Sequence, residues 1–178
     1  MKSDPIRIKR YLTEIRKYRI ELNELITQNR LLPDSIPLKA AKYILIELAE
    51  AMADTVQHIL AKDKGIPVSG YIDAINKAYE NGIISEDVFQ RLKPFFDFRN
   101  SLIHRYWSVD DTLLIKNIHE GINDFDLFIE AIETFLNPVT DPAAGGKPLN
   151  PPPGTQMNRQ GAKDAKVKIF TSAGKTPK

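Results

Sequence analysis

The sequence predicts an all-α protein: an up-down bundle of four long helices and one short helix, followed by a tail. Three observations predict it. Apolar residues recur at helical spacing through most of residues 5–136, and capping residues or glycine and proline breaks bracket each run. No segment alternates apolar and polar residues between hairpin turns, so a sheet is not expected.

The elements follow in order. Asp4-Pro5 reads as an N-cap with proline at the first helical position. Ile8, Tyr11, Ile15, Tyr18, Leu22 and Leu25 then form one stripe, broken at Leu31-Leu32-Pro33-Asp34-Ser35. A second helix begins near Pro37 with Leu38, Ala41, Leu45, Leu48, Met52 and Ile59 on its inner face, and Lys64-Gly65-Ile66-Pro67 ends it. Ser69 opens a short third helix that Asn81-Gly82 closes. Ser85, followed by Glu86 and Asp87, caps a fourth helix running to about Trp107. Asp110 and Asp111 open a fifth, whose seam is Leu114, Ile118, Ile122, Phe125, Ile129, Ile132 and Leu136.

Charge and composition change near residue 137. Residues 1–136 hold 18 Lys+Arg against 21 Asp+Glu, whereas 137–178 hold 7 against 2. That last segment also takes 7 of the 12 prolines and 5 of the 9 glycines. Such a composition buries too little apolar surface to offset its ordering entropy. The expected division is therefore a helical domain over 1–137 and a basic, largely disordered tail over 138–178. With no cysteine there is no thiolate metal site and no thiol nucleophile. No run approaches the roughly 20 apolar residues of a membrane span, and Met1 to Arg7 lacks a signal-peptide apolar region. A cytoplasmic protein is expected.

The chemistry concentrates in Phe98-Arg99-Asn100-Ser101-Leu102-Ile103-His104-Arg105-Tyr106-Trp107. On a helical wheel Arg99 falls inside the stripe of Leu102, Ile103, Tyr106 and Trp107, and Asn100 and His104 form a polar edge beside it. A guanidinium on an apolar stripe needs a partner, because burying an unpaired charge is costly. A phosphate would satisfy its planar fork; so would Asp97 or a carboxylate on the second helix. Glu47, Glu50 and Asp54 lie along one ridge of that helix, either a cation site or a solvated or partner-facing edge. His58 and His119 have no ligand-spaced partner and read as structural. No phosphate loop, nucleophile elbow or zinc spacing is present, and no cofactor is expected.

The arrangement Arg99-Asn100-x-x-x-His104-x-Tyr106 closely resembles the R-N-x-x-x-H-x-Y signature of HEPN-domain proteins, specifically the HepT-like toxin family. Gly82-Ile83-Ile84-Ser85, Leu92-Lys93 and the acid pair after Trp107 extend the resemblance to about residues 5–136, leaving the tail outside it. The resemblance implies an all-helical homodimer with two motifs facing each other across a cleft. It implies a metal-independent endoribonuclease, the toxin of a type II or type VII-like toxin–antitoxin system. His104 would be general base or acid, Arg99 would stabilise charge on the scissile phosphate, and Asn100 would orient either. Arg105 would add to a cationic, RNA-binding cleft. It also implies a partner, a minimal nucleotidyltransferase antitoxin that transfers AMP to Tyr106. tRNA and mRNA both remain open as the RNA. The alternatives are a non-catalytic HEPN module that binds a nucleotide or the nucleotidyltransferase, and a plain helical dimerisation domain.

Overall fold

The computed structural model describes residues 3–104 and 108–137, and every regular element among them is helical. Helix α1 spans Pro5–Thr27 and α2 spans Ile36–Ile59, the latter extended by one π-helical turn, Leu60–Lys64. Helix α3 is Tyr71–Glu80 and α4 is Glu86–His104. Helices α5, Asp111–Gly121, and α6, Asp124–Leu136, complete the bundle.

Local chemistry sets the boundaries. The Asp4 carboxylate accepts hydrogen bonds from the amides of Ile6 and Arg7, with Pro5 opening α1. Ser35 caps α2 by accepting from the Leu38 amide at 3.1 Å, and Asp110 caps α5 by accepting from Leu113 at 3.0 Å. At the end of α3, Gly82 takes φ +68°, and the Ile83 amide donates back to the Ala78 carbonyl at 2.8 Å.

The first stripe folds as its spacing requires: Ile8, Leu12, Ile15 and Leu22 are buried, and the tyrosines mark its margins. Half-buried Tyr18 keeps its hydroxyl at the border, donating to Glu47 at 3.2 Å. Helix α2 is the central element, packed against α1, α3 and α4. It buries not only the expected Leu38, Ala41, Leu45, Leu48, Met52 and Ile59 but also Ala49, Ala53 and Val56 around its circumference. A helix apolar nearly all round belongs in the core, and its alanines let neighbours approach closely.

Helices α1 and α2 run antiparallel: Asp4 donates its amide to His58 Nε2 at one end, and Tyr18 meets Glu47 further along. Helices α1 and α6 are antiparallel too, paired through Arg16 with Glu133 and Arg19 with Asp126. Phe95 packs edge-on against Phe96 and Phe125, at 5.6 and 5.1 Å between ring centroids, so the middle of α4 is locked to α6. Tyr79 stacks on Phe89 at 4.8 Å and ties α3 to the start of α4.

One expectation needs correction: the fifth helix is two. The chain leaves regular helix at Ile122-Asn123, between α5 and α6. Gly121 and Asn123 are the reason, being a poor helix former beside a residue that favours caps. Both residues that break the regularity stay close to helical angles, so the seam survives the interruption. Leu114, Ile118, Ile122, Phe125, Ile129 and Ile132 are all buried. Among the described residues six α-helices therefore replace the expected five. The expected tail, 138–178, lies outside the described residues, as do Arg105, Tyr106 and Trp107. No helix among the described residues is long and apolar enough to cross a membrane.

Candidate functional site

The last turns of α4 carry the site. Anchored by Phe95 and Phe96 below it, the helix turns Arg99 and Leu102 inward; Arg99 is 8% exposed and Leu102 1%. Asn100 is half-buried and His104, the last residue of the helix, is exposed. The polar edge of Asn100 and His104 is thus present at the surface. Ile103 departs from the expected stripe: it is 41% exposed, beside that edge rather than under it.

Burial of Arg99 is made possible from two other helices. Its Nη2 donates to Glu50 Oε1 of α2 at 2.8 Å, and its guanidinium carbon lies 3.9 Å from the centre of the Tyr71 ring. The Tyr71 hydroxyl donates to the same Glu50 oxygen at 3.2 Å. One carboxylate oxygen therefore holds both the cation and the ring against which the cation stacks, a charge-assisted bond combined with a cation–π contact. Gly70, at φ +140°, lets the chain turn into α3 so that Tyr71 is its first residue. Arg99 Nε is buried without a hydrogen-bond partner among the described residues. Of the partners left open by the sequence, Asp97 pairs with Lys93 at 2.8 Å instead, and the α2 carboxylate is the one used.

The ridge on α2 is mostly engaged. Glu47 accepts from Tyr18, Glu50 holds Arg99 and Tyr71, and Asp54 lies one turn further along. Burial, reinforced by the Glu50 charge, raises the Asp54 pKa against the opposing pull of Arg7. Burial also raises the Tyr71 hydroxyl, opposed by Arg99 and reinforced by Glu50, which keeps it a proton donor to that carboxylate. Among the described residues no three His, Asp or Glu side chains converge to hold a metal ion. His58 accepts from the Asp4 amide at 3.0 Å, and His119 is exposed at the end of α5.

Sequence reading marked Glu50 only as one of a ridge and passed over Tyr71. The signals available were the Gly70-Tyr71 junction and an arginine that needed a partner, but the pairing joins residues 49 positions apart in the chain.

The described residues form an all-helical, HEPN-like fold in which one helix presents both Arg99 and His104. The chain belongs to the HepT-like ribonuclease family: the family model described as "Ribonuclease HepT-like" matches residues 8–132. It is similar to a protein of Archaeoglobus fulgidus named "Putative RNase", 30% identical over 134 residues, which cover 75% of this chain and 98% of the relative. It is also similar to a protein of Shewanella oneidensis named "mRNA nuclease HepT", 27% identical over 107 residues, covering 60% of this chain and 76% of the relative.

Proposed function

We propose that this protein is the toxin of a type II or type VII-like toxin–antitoxin pair and cleaves RNA without a metal ion. The observation that carries the reading is the placement of Arg99, Asn100 and His104 on one helix of a HepT-like chain, with Arg99 held rigidly and His104 open to solvent. In the reaction the ribose 2′-oxygen attacks the adjacent phosphorus, the bond to the 5′-oxygen breaks, and a 2′,3′-cyclic phosphate and a 5′-hydroxyl result. His104 of one protomer takes the 2′-hydroxyl proton, and its counterpart in a homodimer protonates the leaving oxygen. Arg99 stabilises the charge building on the phosphate, Asn100 orients the histidine or phosphate, and Arg105 adds positive charge for the RNA. Either mRNA or tRNA serves as substrate; the name of the Shewanella relative favours mRNA. A cognate nucleotidyltransferase silences the enzyme by adding AMP to Tyr106, which places an anionic phosphate in the same cleft.

A second reading is favoured by one observation: Arg99 already has a carboxylate partner in its own chain. In that reading the guanidinium is structural and the domain is a non-catalytic module for a nucleotide or a nucleotidyltransferase.

End-labelled RNA separates the two. His104→Ala should abolish cleavage and Arg99→Ala should lower it by at least about 100-fold, with the helical circular dichroism retained and EDTA without effect. With the partner enzyme and ATP, the wild type should gain the mass of AMP and lose activity, whereas Tyr106→Phe should do neither. A folded wild-type protein that leaves the RNA uncut would establish the second reading, and cleavage at the wild-type rate by both alanine variants would remove Arg99 and His104 from the reaction.

A further inference from the structure

We propose that Glu50 and Tyr71 are positioning residues for Arg99: together they fix the plane of its guanidinium, so that only one edge of the fork can meet a phosphate. The inference rests on the ribonuclease reading above and extends it to helices α2 and α3.

The geometry leaves the arginine little freedom. One face of the guanidinium is covered by the Tyr71 ring at 3.9 Å, and Nη2 is bound to Glu50 at 2.8 Å. Nε is sealed from solvent without a hydrogen-bond partner among the described residues. A long cationic side chain otherwise samples many rotamers, and ordering it at the moment of reaction costs conformational entropy. Here the ordering is complete before RNA arrives. A phosphate would meet the fork through the N–H groups of Nη1 and Nη2 other than the one held by Glu50. A phosphate must therefore approach in the plane of the fork, away from the Tyr71 ring.

Two opposing effects of Glu50 on RNA can be told apart. Its oxygen anchors the guanidinium, which favours the transition state. Its negative charge, with Asp54 one turn away, opposes a polyanion and weakens binding. Glutamine keeps an acceptor oxygen for both Arg99 and the Tyr71 hydroxyl but removes the charge. Alanine removes both.

The experiment is steady-state cleavage of an RNA oligonucleotide by the full-length protein carrying Glu50→Gln, Glu50→Ala, Tyr71→Phe or Tyr71→Leu. Each variant's native fraction is taken from its unfolding curve, and rates are expressed per folded molecule. Glu50→Ala should lower kcat at least about tenfold while changing KM less than about threefold. Glu50→Gln should rescue kcat to within about threefold and lower KM, because a repelling charge is gone. Tyr71→Phe should stay near wild type in kcat, since the stacked ring remains, and Tyr71→Leu should lose activity as Glu50→Ala does. NMR gives a readout separate from turnover: the Arg99 Nε–H signal should be slow to exchange in wild type and Glu50→Gln, and averaged in Glu50→Ala.

Unchanged kcat per folded Glu50→Ala molecule would overturn the proposal, as would Glu50→Gln as inactive as Glu50→Ala. Should Glu50→Ala not fold, Tyr71→Leu decides: full kcat overturns the proposal and a tenfold loss supports it. An inactive Arg99→Ala beside a fully active Glu50→Ala defeats only this inference. A fully active Arg99→Ala defeats the role given to Arg99, and a folded wild type that does not cleave RNA defeats the ribonuclease reading on which the inference stands.

Discussion

Lys42 is 6% exposed, and its ammonium is tolerated because Asp111 Oδ1 lies 2.7 Å away. The other Asp111 oxygen accepts from the Asp34 amide at 2.9 Å. Burial by itself would raise the Asp111 pKa, but the bonds from Lys42 and Asp34 outweigh it, and the carboxyl sits below its ordinary range. A depressed folded pKa means stability that is fully present above the unfolded value of about 3.9 and is lost as pH falls through the folded value. Asp111→Asn should therefore destabilise the protein at neutral pH, on the order of 2 kcal/mol, because Lys42 keeps an acceptor but loses its counter-charge. The difference from wild type should shrink steadily below pH 4 in urea unfolding measured across pH. A gap independent of pH would show that the ion pair is not its source. Arg99 with Glu50 is the same arrangement on another face, a cation on one helix reaching a carboxylate on another. The sequence marked Arg99 as needing such a partner, but it held no information on which of several carboxylates would be near.

Capping signals carried the helices. Asp4, Ser35 and Asp110 each act as the N-cap that their position beside an apolar run implies. Gly82 closes α3 at φ +68°, with open space where a Cβ would stand. Gly82→Ala should therefore cost about 1 kcal/mol from backbone conformation alone, without a steric component, and leave RNA cleavage per folded molecule unchanged. Chemical unfolding checks the first part and a cleavage assay the second. The break at Ile122-Asn123 was signalled by Gly121 and Asn123 but hidden from periodicity, because the apolar seam runs through it without a phase change. Periodicity reports which face is buried and is blind to a small interruption that preserves that face. The opposite error occurs at Ile103, which periodicity placed on the stripe and the structure leaves 41% exposed. A wheel gives each residue's direction around the helix axis and not what packs against it.

At the scale of the molecule, the proposed chemistry needs an acid and a base at once, and His104 is the only histidine on α4. We propose a homodimer that brings two α4 helices together, so light scattering at micromolar concentration should give twice the 20.2 kDa chain mass. A monomer with full cleavage activity would remove the composite site. The formal charge of residues 1–136 is slightly negative, which argues against RNA held over a broad surface. Binding should depend on a local cluster around Arg99 and Arg105.

Although α3 starts after Gly70 and not at the expected Ser69, the sequence alone determined the helical class, the caps of α1 and α5, most of the buried stripe and the segment that carries arginine and histidine. These follow from interactions within a few residues, where spacing and side-chain type leave few alternatives. Tertiary structure decided the state of Arg99: buried, stacked on Tyr71 and bound to Glu50. That outcome depends on how α2, α3 and α4 pack, and the contacts between them join residues far apart in the chain whose meeting no local pattern encodes. The same packing turned a row of acids on α2 from a possible cation site into the support for an arginine, because the nearest cation available to Glu50 was already part of the fold.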